Sequence, residues 1–236
     1  MLARNARTME RDDSAISTEG VLAFGDPAAE QKLASSLSTA GGEIRVKRKK
    51  EEKPAGLKKY YAYSIVNANG EEFAILRYEW KSSNKCVVTA ALPDGSVVWS
   101  DQMLDGRFTM NASAGDSFGQ IVQARWNKGG MNTCEKRACA CGGSVGELMA
   151  DGQPVLSFVA PSQPWLIPFM ILTLCMGGFC LPPKCRQSRI MRGNDCVGTA
   201  IGAEVVKSDD PAILRASINI LAILNCLDDW KNMQQV

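Results

Sequence analysis

The sequence predicts a mainly β fold: a many-stranded antiparallel sheet that curls or closes, with one buried helix near its C-terminal end. Two observations carry this. From Tyr60 to Val206, short runs rich in β-branched and aromatic residues alternate with tight-turn signals. Pro211–Leu227 is then apolar on nearly every side, and such a helix must be enclosed by protein or by lipid.

The elements follow in order. Residues 1–58 hold few large apolar side chains and end in the charge run Arg45-Val46-Lys47-Arg48-Lys49-Lys50-Glu51-Glu52-Lys53; that composition predicts a disordered arm. Tyr60–Val66, Phe73–Trp80, Cys86–Leu92 and Val97–Trp99 read as strands, separated by Asn67-Ala68-Asn69-Gly70, Ser82-Ser83-Asn84 and Pro93-Asp94-Gly95. Phe108–Ala112, Phe118–Trp126, Ser144–Met149 and Val155–Val159 continue the meander, with Asp151-Gly152 turning a hairpin. Trp165–Cys180 is the most lipophilic stretch. Pro168 and Gly177-Gly178 interrupt it, and it is shorter than the ~20 residues of a membrane-spanning helix, so a buried hairpin is preferred to a span. Arg189–Met191 and Cys196–Val206 are the last two strands, on either side of Gly193-Asn194-Asp195. A sheet of so many strands closes or curls.

Asp210 supplies an N-cap carboxylate for the helix and Pro211 its first residue. At ~1.5 Å per residue the helix rises about 25 Å, which suits the bore of a small barrel and falls short of a ~30 Å hydrocarbon core. Its polar residues Arg215, Ser217, Asn219 and Asn225 form no single hydrophilic face. Arg215 and Asn219 lie one turn apart, so enclosure demands partners for them, in a buried polar network or at the barrel rim. Asp228 and Asp229 stand where the helix dipole disfavours negative charge. The expected organisation is a disordered arm over 1–58, one domain over 59–231 with its helix at 211–227, and a tail over 232–236.

Composition narrows the function classes. A net charge of +2 gives no global attraction to nucleic acid. Charges throughout Met1–Asp13 are incompatible with a signal peptide, which places the chain in the cytosol or on the cytosolic face of a membrane. In that compartment the nine cysteines are thiols, metal ligands or acylation sites before they are disulfides. Leu2 and the ending Met233-Gln234-Gln235-Val236 signal neither myristoylation nor prenylation.

Several ordered segments carry a resemblance. They are Tyr63-Ser64-Ile65-Val66-Asn67-Ala68-Asn69-Gly70; Phe108-Thr109-Met110 with Ala114-Gly115; Phe118-Gly119-Gln120-Ile121-Val122-Gln123; Val145-Gly146-Glu147-Leu148; Asp151-Gly152-Gln153-Pro154-Val155-Leu156; and Ile190, Asp195 and Val197-Gly198-Thr199 before the terminal helix. In that order the chain, from Tyr60 to Trp230, resembles the tubby-like superfamily, in particular phospholipid scramblases and LURP-one proteins. The resemblance implies a closed antiparallel β-barrel of about twelve strands around the C-terminal helix. It implies either calcium-dependent movement of phospholipids between leaflets or binding of phosphoinositide head groups, neither of which uses a catalytic nucleophile. Two departures stand out. The acidic calcium segment before the family's helix is reduced here to Lys207-Ser208-Asp209-Asp210, and the family's palmitoylated cysteine run has no counterpart in Val97–Arg107.

Individual sites keep their alternatives. Arg45, Lys47, Arg48, Lys49 and Lys50 are candidate contacts to anionic phospholipid, a nuclear-import signal or a solvated linker. Cys134, Cys139 and Cys141, with Lys136 and Arg137 between them, are candidates for S-acylation or zinc, or ordinary thiols. Asp209 and Asp210 offer calcium fewer oxygens than the six to eight it prefers, and a helix cap is the simpler reading. Cys226 reads as a small buried apolar residue. The expected function is a non-enzymatic, membrane-associated phospholipid scramblase or lipid-binding protein at the cytosolic leaflet, most naturally of the plasma membrane. The alternative is a soluble tubby-like regulatory scaffold in the cytosol or nucleus.

Overall fold

The structure, a computed structural model, describes residues 23–83, 85–104, 109–115, 118, 122–126, 142–162 and 187–234. The strands are β1 Ala23–Phe24, β2 Glu43–Lys49, β3 Lys59–Val66, β4 Glu72–Ser82, β5 Lys85–Ala91, β6 Val97–Leu104, β7 Thr109–Ala112, β8 Val122–Trp126, β9 Gly142–Ala150, β10 Gln153–Ser162, β11 Gln187–Arg192, β12 Asp195–Ile201 and β13 Val205–Lys207. Two helices accompany them, α1 Pro27–Ser38 and α2 Pro211–Gln234.

All strand pairs are antiparallel, and the twelve strands β2–β13 form a nearly closed barrel. Two meanders, β2 to β6 and β7 to β13, each pair strands in chain order. They are joined where β13 lies against β2, with Val205 opposite Arg45 and Val206 opposite Ile44. The seam is between β6 and β7. No ladder crosses it, but the Asp101 carboxylate on β6 accepts the Asn111 N–H of β7 at 2.7 Å. Burial holds the Asp101 carboxyl above its ordinary range, against the N–H groups of Asn111 and Gln102, which favour its ionised form. The short β1 takes another part of the same β6 edge, with Phe24 opposite Trp99.

Strand alternation directs Cys86, Val88 and Ala90 of β5 and Ala74, Leu76 and Tyr78 of β4 into the bore, where they are buried. Helix α2 fills that bore: Ile213 to Leu227 is buried at every position. Strand β9 comes so close to it that a Cβ at Gly146 would stand 2.6 Å from Ile220 Cγ2. At the β9–β10 turn, Asp151 (φ 49°) and Gly152 (φ 75°) both adopt left-handed backbone, the requirement of the hairpin turn that Asp-Gly favours.

Four expectations are corrected. Within 1–58, the chain from Ala23 onward is folded: α1 and β2 stand where an arm was expected. Asp26 caps α1 by accepting the Ala28 N–H at 2.9 Å, Pro27 follows it, and Ala29, Leu33 and Leu37 form an i, i+4, i+8 stripe buried in the core. The barrel domain accordingly begins before residue 59. Cys196–Val206, expected as one strand, is two, broken at Gly202, whose φ is 53°. The helix expected over 211–227 continues to Gln234, into the expected tail. Asp228 and Asp229 therefore lie inside it and not in its last turn, where the dipole acts. Trp165–Cys180 lies outside the described residues.

Candidate functional site

The basic run is a wall strand. Gly41 and Gly42, with φ of 68° and 77°, turn the chain out of α1, and β2 then alternates. Ile44 is buried and Val46 packs against the core, while Glu43, Arg45, Lys47 and Lys49 take the outer face. Composition suggested a disordered arm because the outward positions are nearly all charged; the two inward ones are what hold the strand.

Half of these charges are engaged within the wall. Glu43 accepts from Arg45 at 2.5 Å and pairs with Lys207 of β13 at 2.7 Å. Lys207 and then Arg45 hold its carboxyl below the ordinary range. Lys49 meets Glu72 at 2.9 Å, and the same carboxylate accepts from the Ser64 hydroxyl. Beyond the strand, Glu51 accepts from Arg77 at 3.1 Å and from the Tyr60 hydroxyl at 2.5 Å. Burial raises the Glu51 carboxyl, but hydrogen bonds from Arg77 and Tyr60 outweigh it and the net shift is down. Burial and then Glu51 push the Tyr60 phenol up to about 12. Among the described residues Lys47, Arg48 and Lys50 form no ion pair, and all three are exposed. Arg48 lies over the Tyr61 ring, 5.0 Å from its centroid, a cation–π contact that leaves its donors available.

Two polar assemblies tie the buried helix to the wall. Near its N-terminal end, Arg215 is only 2% exposed. Its Nε and Nη2 donate to the two Glu30 oxygens of α1 at 2.6 Å each, and Nη2 also donates to the Ser113 carbonyl at 3.1 Å. Asn219 accepts from Arg215 at 3.3 Å and donates to the same Ser113 carbonyl at 2.6 Å. Of the two settings weighed for Arg215 and Asn219, the buried network is the one found. Toward the other end, Tyr63 donates to Asp229 at 2.7 Å, Tyr78 donates to the Ala222 carbonyl at 2.9 Å, and Asn225 donates to the Ala203 carbonyl at 3.1 Å. Sequence reasoning missed Glu30, Tyr63 and the use of Asp229. Only Glu30 left a trace, one turn after the Asp26-Pro27 start signal and beside the Ala29–Leu33 stripe.

Asp210 is spent on the helix cap: its Oδ1 accepts the Ala212 N–H at 2.8 Å and its carbonyl accepts those of Ile213 and Leu214. Its neighbour Asp209 is exposed. Among the described residues no group of three or more His, Cys, Asp or Glu side chains could hold a metal ion. Cys134, Cys139 and Cys141 lie outside the described residues. Among the described helices none is long and apolar enough to cross a membrane. No protein-family model matches the chain, and neither a curated protein nor a solved structure matches it at significance.

Proposed function

We propose that this protein is a non-enzymatic barrel of the scramblase and LURP-one type that binds anionic phospholipid at the cytosolic face of a membrane. The observation that carries the reading is the set of exposed, ion-pair-free cations Lys47, Arg48 and Lys50 presented by a rigid wall strand. Each basic group near an anionic surface contributes roughly 1 kcal/mol. Three of them amount to about 3 kcal/mol, a reversible attachment that acylated cysteines would strengthen.

Binding is favoured over transport by helix insertion. Moving α2 into a bilayer would break the Arg215–Glu30, Tyr63–Asp229 and Tyr78–Ala222 links and empty the core. One observation favours the rival reading, a lipid-independent interaction scaffold: Arg45 and Lys49 are already neutralised by Glu43 and Glu72.

Co-sedimentation of the full chain with phosphatidylserine-containing and neutral vesicles tests the proposal. Retention on anionic vesicles only, lost at high salt and in the triple variant Lys47→Glu/Arg48→Glu/Lys50→Glu, is the expected result. Equal behaviour on both vesicle types would leave the scaffold reading. A fluorescent-lipid transfer assay on the same vesicles distinguishes binding from movement between leaflets.

A further inference from the structure

Inside the barrel two thiols face one another. Cys86 of β5 and Cys226 of α2 are buried, and the Cys226 thiol donates to Cys86 Sγ across 3.9 Å, while Cys86 turns its own proton to the Val87 carbonyl at 3.6 Å. The cross-strand partner of Cys86 on the β6 side is Met103, whose side chain is also in the core. On the β4 side the partner is Trp80, likewise buried. We propose that Cys86, Cys226 and Met103 form a binding site for a soft monovalent cation, Cu(I).

The donor set makes the choice of metal. Thiolate and thioether sulfur select Cu(I), whereas hard cations require oxygen. At a metal–sulfur distance of about 2.3 Å, two sulfurs 3.9 Å apart subtend about 116°, close to the 120° of a three-coordinate centre with the thioether in third place. Charge makes the same choice. The Cys226 proton lies between the two sulfurs, and Cu(I) takes its place: a Cu–S bond forms, the S–H bond breaks, and the proton leaves to solvent with no change of oxidation state. One monovalent cation for one proton leaves the buried pair at its original charge. A divalent ion would bring a net charge into an apolar core or need a second deprotonation. Entry is available through the seam, since Met103 lies on β6, two residues from the Asp101 carboxylate that bridges to β7.

The experiment is Cu(I) titration against a chromophoric chelator, using the full chain with Ser at the seven other cysteines so that Cys86 and Cys226 alone remain. We expect a single equivalent held against the chelator, loss of that equivalent in Cys86→Ser and in Cys226→Ser, and weaker retention in Met103→Leu. Failure of the two-cysteine chain to retain Cu(I), or retention after either thiol is removed, overturns the site. Should the seven serines unfold the chain, the natural sequence with Ag(I) as a redox-inert probe decides instead. A rise in melting temperature at one equivalent, absent in Cys226→Ala and Cys86→Ala, supports the site, and an equal rise in all three chains overturns it.

Discussion

Arg215 and Glu30, 185 residues apart, meet through a two-pronged ion pair with both nitrogen–oxygen distances at 2.6 Å. The guanidinium is almost wholly buried, so it depends on this carboxylate, on Asn219 and on the Ser113 carbonyl for partners. The first helix of the fold is thereby fixed to the last.

Removing one member should cost more than removing both. We expect Glu30→Gln or Arg215→Met to destabilise the chain by about 3 kcal/mol, because a charge is left in a setting that excludes water. The double variant should recover part of that loss. Urea unfolding of the four chains in a double-mutant cycle measures the coupling, and additive losses would show that the pair does not act as a unit.

At the opposite end of α2, Tyr63→Phe should cost about 1.5–3 kcal/mol, the usual worth of a hydrogen bond to a charged group. Tyr78→Phe, which loses a bond to a neutral carbonyl, should cost nearer 1 kcal/mol. Chemical denaturation under identical conditions compares the two, and the reverse order would contradict the role assigned to Asp229.

The contact between Gly146 and Ile220 leaves no room for a methyl group. Gly146→Ala should therefore destabilise by about 1–3 kcal/mol through overpacking. In an Ile220→Ala background, where Cγ2 is gone, the same change should cost much less. An undiminished penalty would place the strain elsewhere.

Titration should separate Tyr60 from an unfolded phenol. Its folded value is raised to about 12, so its stabilising contribution is complete below the unfolded value of about 10 and is lost as pH rises from there through about 12. Glu51 and Glu43 shift the other way: their contribution is present above the unfolded glutamate value and fades as pH falls through the lowered folded ones. Ultraviolet titration of the phenolate in the native chain and in Tyr60→Phe reads the first effect, and acid unfolding of Glu51→Gln reads the second.

The sheet and the terminal helix were legible because their signals are local: period-two alternation between turn residues, and a run of apolar residues behind Asp210-Pro211. The Asp151-Gly152 turn was legible for the same reason, since only certain residues accept that backbone. Helix α1 was not. Its apolar stripe is three residues, Ala29, Leu33 and Leu37, among serines and alanines, and by composition it looks like coil. In β2 the outward charges hid the inward Ile44 and Val46. That Arg215 and Asn219 would require partners could be read from the chain, but Glu30 and Ser113 could not, because nothing in a sequence reports which distant residue arrives at a buried cation.

The pairing of β13 with β2 has a kinetic consequence. Every other ladder among β2–β13 links strands that follow one another along the chain, so the two meanders can each assemble from hairpins with short closures. Bringing Val205 to Arg45 is the one long-range step among the ladders, and its entropy rises only slowly with the length of the intervening loop. Folding should therefore proceed as two quick local assemblies followed by one slow joining event, with the helix sealed in as the two halves meet.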